Sequence, residues 1–188
     1  MSRIVARHPS GPRIRPALAG SILLAWSMAV AGCGPPAESR AAEAGLEGAA
    51  LAHAHASPQA LGRAVLEALA AEDRQALRSL RVTREEWLEL FWPELPEHDD
   101  TPFDFAWQMK DDGSRVAEAT ALEEFGGQEF EIIDVKFTEA PEVYPSFTVH
   151  RGAQLWARRV SDGQEGVIPI LSVLVERQGL WKLSNLVD

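Results

Sequence analysis

The chain holds a single cysteine, Cys33, in 188 residues. No internal disulfide can form, so the fold rests on packing alone. No apolar run reaches the roughly 20 residues that a membrane-spanning helix needs; the longest, residues 17–31, is about 15 long. No Ser-His-Asp spacing, phosphate-binding loop or HExxH motif occurs, so the sequence commits to no chemistry. Tyr144 is the one tyrosine. No Asp or Glu precedes Cys33, so the 28 acids of the chain all follow it. Against them stand the 14 Lys and Arg left once Arg3, Arg7, Arg13 and Arg15 are set aside, a formal charge near −14. An acidic surface of that size repels nucleic acid and anionic lipid.

Those four arginines and the apolar stretch behind them have the charged and hydrophobic regions of a secretory signal. The stretch runs into Val30-Ala31-Gly32-Cys33, which resembles the lipobox of bacterial lipoproteins. The resemblance implies cleavage between Gly32 and Cys33, a diacylglyceryl thioether on Cys33 and acylation, typically with palmitate, of the new amino group. Each buried methylene adds about 0.8 kcal/mol, and two or more chains anchor stably. The resemblance implies a place in the bacterial cell envelope, and Gly34, standing where some inner-membrane lipoproteins of Gram-negative bacteria carry Asp, favours the periplasmic face of the outer membrane in such a cell.

Three segments follow: signal peptide 1–32, lipidated Cys33 with a flexible tether through residue 57, and one folded domain over 58–188. The tether is rich in Ala, Gly, Pro and Glu, and as a random coil it would span about 25–30 Å. The 131 residues behind it suit one ordinary domain, with no internal repeat.

Ser57-Pro58 predicts an N-cap and a helix through about Ala71 with Leu61, Val65, Leu66 and Leu69 on one face. A short helical stretch with Leu77 and Leu80 follows. Thr83-Arg84-Glu85-Glu86 matches a capping box, opening a third helix that carries Trp87, Leu90 and Phe91 and stops at Pro93. Thr101-Pro102 starts another, with Phe103, Ala106 and Trp107 on one side, and Asp111-Asp112-Gly113 predicts a kink or break before a helix over 114–125.

From Gln128 the period becomes two. Four strands are predicted: residues 128–137 with a local irregularity, a second around Phe147 to Trp156, a third over 167–177 and a fourth over 180–187. Gln178-Gly179 predicts a tight hairpin turn, and Pro169 an edge or a bulge. Helices before an antiparallel four-stranded sheet make an α+β fold. Ala68-Leu69-Ala70-Ala71-Glu72-Asp73-Arg74-Gln75-Ala76-Leu77 resembles the helical opening of the NTF2-like, or SnoaL-like, superfamily. Val175-Glu176-Arg177-Gln178-Gly179-Leu180-Trp181-Lys182-Leu183 resembles its final hairpin. That resemblance implies a curved sheet wrapped around helices as a cone, with a pocket at the open end. Members are isomerases, dehydratases, ligand binders and interaction modules alike, so the fold alone assigns no function.

Several residues are candidates for a site. His53 and His55 lack the further ligands a metal centre needs. Glu94, Glu97, Asp99, Asp100, Asp104, Asp111 and Asp112 face only Lys110 and match no calcium loop; they read as a solvated acidic face. Asp104, Asp134 and His150 sit in or beside apolar segments and are the candidate general bases of an isomerase- or dehydratase-like enzyme. Trp92, Trp107 and Trp156 are candidate walls of an apolar ligand pocket, with Trp92 and Trp107 expected at one mouth. The leading expectation is a non-catalytic envelope lipoprotein that needs no metal or cofactor and touches membrane lipid through Cys33. It binds a small apolar ligand or an envelope protein, and no nucleic acid. An enzyme of that type and a structural envelope component are the alternatives.

Overall fold

A computed structural model describes residues 50–185. The signal sequence, Cys33 and the tether up to residue 49 lie outside the described residues. Helix α1, Pro58–Ala70, starts where the Ser57 side chain accepts from the Ala60 amide at 3.1 Å. It buries Leu61, Val65, Leu66 and Leu69 against strand β1, Phe130–Phe137. Gly62 permits the close approach, since a Cβ there would stand 3.0 Å from both Ile132 Cδ1 and Leu155 Cδ1. Asp73 caps the short α2, Arg74–Ser79, by accepting from the amides of Gln75 and Ala76.

The capping box forms as predicted: Thr83 Oγ1 accepts from the Glu86 amide, and the Glu86 carboxylate accepts from the Thr83 amide. The third helix is not a regular one, however. Its α-turn α3, Arg84–Glu86, widens at once into a π-turn, Trp87–Phe91, and then tightens into 3-10 turns at Trp92–Glu94 and Pro96–His98. Pro93 and Pro96 cannot donate to a helical ladder, so the chain turns away in short steps.

Helix α4, Phe103–Phe125, runs unbroken for 23 residues through Asp111-Asp112-Gly113, where a kink was expected. The reason lies in its partners. Arg78 donates twice to the fully buried Glu118 at 3.0 and 3.1 Å, and Arg74 approaches the same carboxylate at 3.4 Å. Arg81 pairs with Asp111 at 3.0 Å, and Arg84 pairs with Asp104. Acids at 104, 111 and 118, seven apart, meet arginines at 74, 78, 81 and 84, and these pairs align the helix across its glycine. Two members of the expected acidic face are therefore ion-paired.

The fold class is α+β, but the described residues form seven strands in two antiparallel sheets, not four in one. β1, β4 (Ala153–Arg159) and β5 (Glu165–Ile168) form a three-stranded sheet in the order β1-β4-β5. The other has the order β2-β3-β6-β7, from Glu142–Val143, Thr148–Arg151, Val173–Arg177 and Leu180–Asn185. Gly152 divides the expected second strand into β3 and β4. It holds φ +62°, and any Cβ would meet Thr138 Oγ1, so only glycine turns the chain from one sheet to the other there. Pro169 lies where β5 gives way to β6. The irregularity in β1 is a register shift between Ile132 and Asp134. Gln178 and Gly179, at φ +55° and +78°, turn β6 into β7.

The domain also begins earlier than residue 58. Leu51 is buried with Leu90, Phe91, Phe147, Val149 and Val175, the Ala52 amide donates to Glu86 Oε1 at 2.7 Å, and His55 pairs with Trp181. The described end of the expected tether is thus part of the packed core.

Candidate functional site

The irregular segment after α3, helix α4 and the four-stranded sheet enclose a cleft of about 370 Å³, within the range of small-ligand sites. Its floor is β3 and β6. Val149 and Arg151, two apart on β3, face the same side, and Arg151 stands opposite Val173 in the ladder. One wall is Trp87, Trp92 and Leu95, swung inward by the π-turn and the 3-10 turns. Such turns recur at functional sites, because widening one turn re-aims the side chains that follow. Trp92 rests edge-on against Phe103, with ring centroids 5.7 Å apart. The opposite wall is Phe105, Ala106 and Met109 from α4. Phe105 and Met109 remain 58% and 63% exposed, an apolar surface uncovered among the described residues.

Polar groups sit at the edges of this apolar body. Lys110 Nζ donates to Ser184 Oγ at 2.7 Å and lies 4.0 Å from the centroid of the Trp87 ring. Across the cleft, Arg151 Nε donates to Glu142 Oε1 at 2.7 Å, and Tyr144 Oη donates to Glu142 Oε2 at 3.2 Å. The Arg151 hydrogen bond holds the Glu142 carboxyl below its ordinary range. Burial, with the charge of Glu142 behind it, pushes the Tyr144 phenol up. Tyr144 is therefore a neutral donor at ordinary pH, and its proton is committed to Glu142. Among the described residues Glu97 is the one carboxylate on the lining, and its charge adds to the upward push on the Tyr144 phenol. The arrangement suits recognition of an apolar body with polar ends more than proton transfer.

The expected site residues fall in different places. Trp92 is on the cleft wall and buried. Trp107, expected at the same mouth, lines a separate depression with Arg78, Arg81 and Arg115. Trp156 is on β4 beneath Lys136, whose Nζ lies 4.8 Å from its ring centroid. Asp104 is exposed and paired with Arg84, and Asp134 accepts from the Val135 amide at the β1 bulge. His150 lies between Phe137 and Trp181, with centroids at 5.0 and 4.6 Å, and burial lowers its pKa. Alternation along β3 turns it away from the side that Val149 and Arg151 share. None of these three candidate bases lines the cleft.

Sequence reasoning missed Phe105, Met109, Lys110, Tyr144, Val149, Arg151, Val173 and Ser184. One signal was present: Phe105, Met109 and Val116, at i, i+4 and i+11, form an apolar stripe on a helix otherwise rich in charge. Among the described residues no helix is long and apolar enough to cross a membrane, and no group of three or more His, Cys, Asp or Glu is placed to hold a metal ion. Comparison with protein-family models, with curated proteins and with solved structures finds no match to this chain.

Proposed function

We propose that this chain is a lipoprotein of the bacterial cell envelope, anchored through Cys33, whose folded domain binds a small apolar ligand in the cleft beside α4 without altering it chemically. The cleft carries this reading: aromatic and aliphatic walls, polar groups confined to the edges, and Phe105 and Met109 exposed on the approach. Helices packed on both β1 and β7, with one glycine joining β3 to β4, suit the NTF2-like cone, whose open end holds a pocket. The lipobox-like Val30-Ala31-Gly32-Cys33 supports the anchor, and Gly34 supports the periplasmic face of the outer membrane.

Two experiments test the two halves. Ala106→Trp places an indole in the cleft from a helical position that is only half-buried. It is expected to abolish binding of an apolar fluorescent probe while the folded fraction stays unchanged; equal binding by both proteins refutes the site. Cys33→Ser is expected to lose metabolic palmitate label and leave the membrane fraction. A variant that remains membrane-bound and labelled refutes the anchor.

A further inference from the structure

A second concavity, of about 280 Å³, lies on α4 away from the cleft, between the arginines at 78 and 81 and the middle of the helix. Trp107, Asp111 and Arg115, four residues apart in turn, present one face of α4 to it. Arg78, Arg81 and Thr83 close the other side.

The charges here do not balance. Arg74 and Arg78 share Glu118, and Arg81 holds Asp111. Arg115 has no ion pair among the described residues. Four guanidinium groups thus stand with two carboxylates, in a chain whose formal charge is −10. Asp112 does not line the concavity. Arg81 is only 6% exposed, and its Nε, fully buried, has no hydrogen-bond partner among the described residues. Thr83 Oγ1 already accepts from the Glu86 amide, which leaves its hydroxyl proton to donate outward.

We propose that this concavity is an anion site that takes a phosphoryl group. Guanidinium forks match phosphate oxygens two at a time and stay charged at every physiological pH. Arg81 and Arg115 approach from opposite sides, Thr83 adds a neutral donor, and the doubly negative group offsets the excess charge. The volume corresponds to roughly nine waters, more than a phosphoryl group fills. The remainder borders the Trp107 ring, so the natural ligand carries an organic group on the phosphate. That group is a soluble metabolite or the glycerol end of a phospholipid, and the recognition chemistry is the same for both.

The test follows the Nε–H signals of arginine by NMR in the full-length protein in neutral detergent, assigned with Arg81→Lys and Arg115→Gln. Inorganic phosphate is expected to shift the Arg81 signal saturably, beyond any effect of chloride at equal ionic strength. Arg115→Gln is expected to weaken phosphate about tenfold, and Arg115→Lys by less, because charge is kept and the fork lost. Arg115 is exposed, so neither change endangers the fold. Vesicles containing phosphatidic acid that displace phosphate, where pure phosphatidylcholine vesicles do not, assign the site to a headgroup. Phosphate that stays bound in the presence of both assigns it to a soluble compound. A shift no larger than that of chloride, or an affinity that Arg115→Gln leaves unchanged, overturns the proposal.

Discussion

Removing the Glu86 carboxylate tests how the cleft wall is held. Lys182 is completely buried, and its Nζ donates to both Glu86 oxygens at 2.9 and 2.7 Å. The same carboxylate accepts from the amides of Thr83 at 2.8 Å and Ala52 at 2.7 Å. One side chain therefore joins the lead-in segment, the start of the π-turn and β7. Glu86→Ala strands a buried ammonium, which typically costs about 3–5 kcal/mol. It also undoes half of the capping box, worth about 1 kcal/mol. A combined loss of about 4–6 kcal/mol is a large part of the roughly 5–15 kcal/mol that holds a domain together. With a urea slope of about 2 kcal/mol per molar, the midpoint followed by tryptophan fluorescence falls by about 2–3 M. Glu86→Leu/Lys182→Leu removes both charges and is expected to recover at least about 2 kcal/mol over the single variant, because apolar replacements of buried pairs are often near neutral. A single variant that loses less than about 1 kcal/mol, or a double variant no more stable than the single, refutes the reasoning.

Other expectations follow from the same contacts. Gly113→Ala adds a methyl with nothing within 4 Å inside a helix, and is expected to raise stability by about 0.5–1 kcal/mol in thermal unfolding. Gly62→Ala drives a Cβ to 3.0 Å from Ile132 and Leu155 and is expected to cost about 1–3 kcal/mol in the same assay. Trp92→Ala empties a buried aromatic site and should lose about 3 kcal/mol or more, whereas Trp107→Ala, half-buried in the arginine-lined concavity, should lose far less. Burial keeps the His150 imidazole below its usual 6.5, opposed by the charge of Glu176. The unfolded chain then binds that proton more tightly, so stability falls as pH drops below 6.5. His150→Phe should flatten that slope in denaturation series between about pH 7 and 5.5. A wild-type stability that rises over this range would mean that the flanking Phe137 and Trp181 rings favour the imidazolium.

Features set by neighbours in sequence were legible in it. Ser57-Pro58, the Thr83 capping box and the Gln178-Gly179 hairpin each need only residues within a few positions, and each forms as their chemistry dictates. The features that were not legible depend on distant partners. Gly113 reads as a breaker until Arg81 and Arg78, more than 30 residues away, are seen to hold Asp111 and Glu118. Nothing near Gly152 announces the division of the sheet; the clash that demands glycine comes from Thr138. Leu51 sits in a stretch of Ala and His that reads as tether, and is ordered by the core formed by later residues. The cleft itself depends on the π-turn, which no local pattern signalled, and on strand parity, which puts Arg151 on its floor and His150 elsewhere.

The central claim, that the cleft beside α4 holds an apolar ligand, is tested most directly by native mass spectrometry of the full-length Cys33→Ser protein recovered from the cells that produce it, compared with the same protein carrying Ala106→Trp. The account predicts an additional non-covalent mass that is lost on collisional activation and absent from the Ala106→Trp protein. A bare chain mass, or an adduct retained when the cleft is filled, would contradict it.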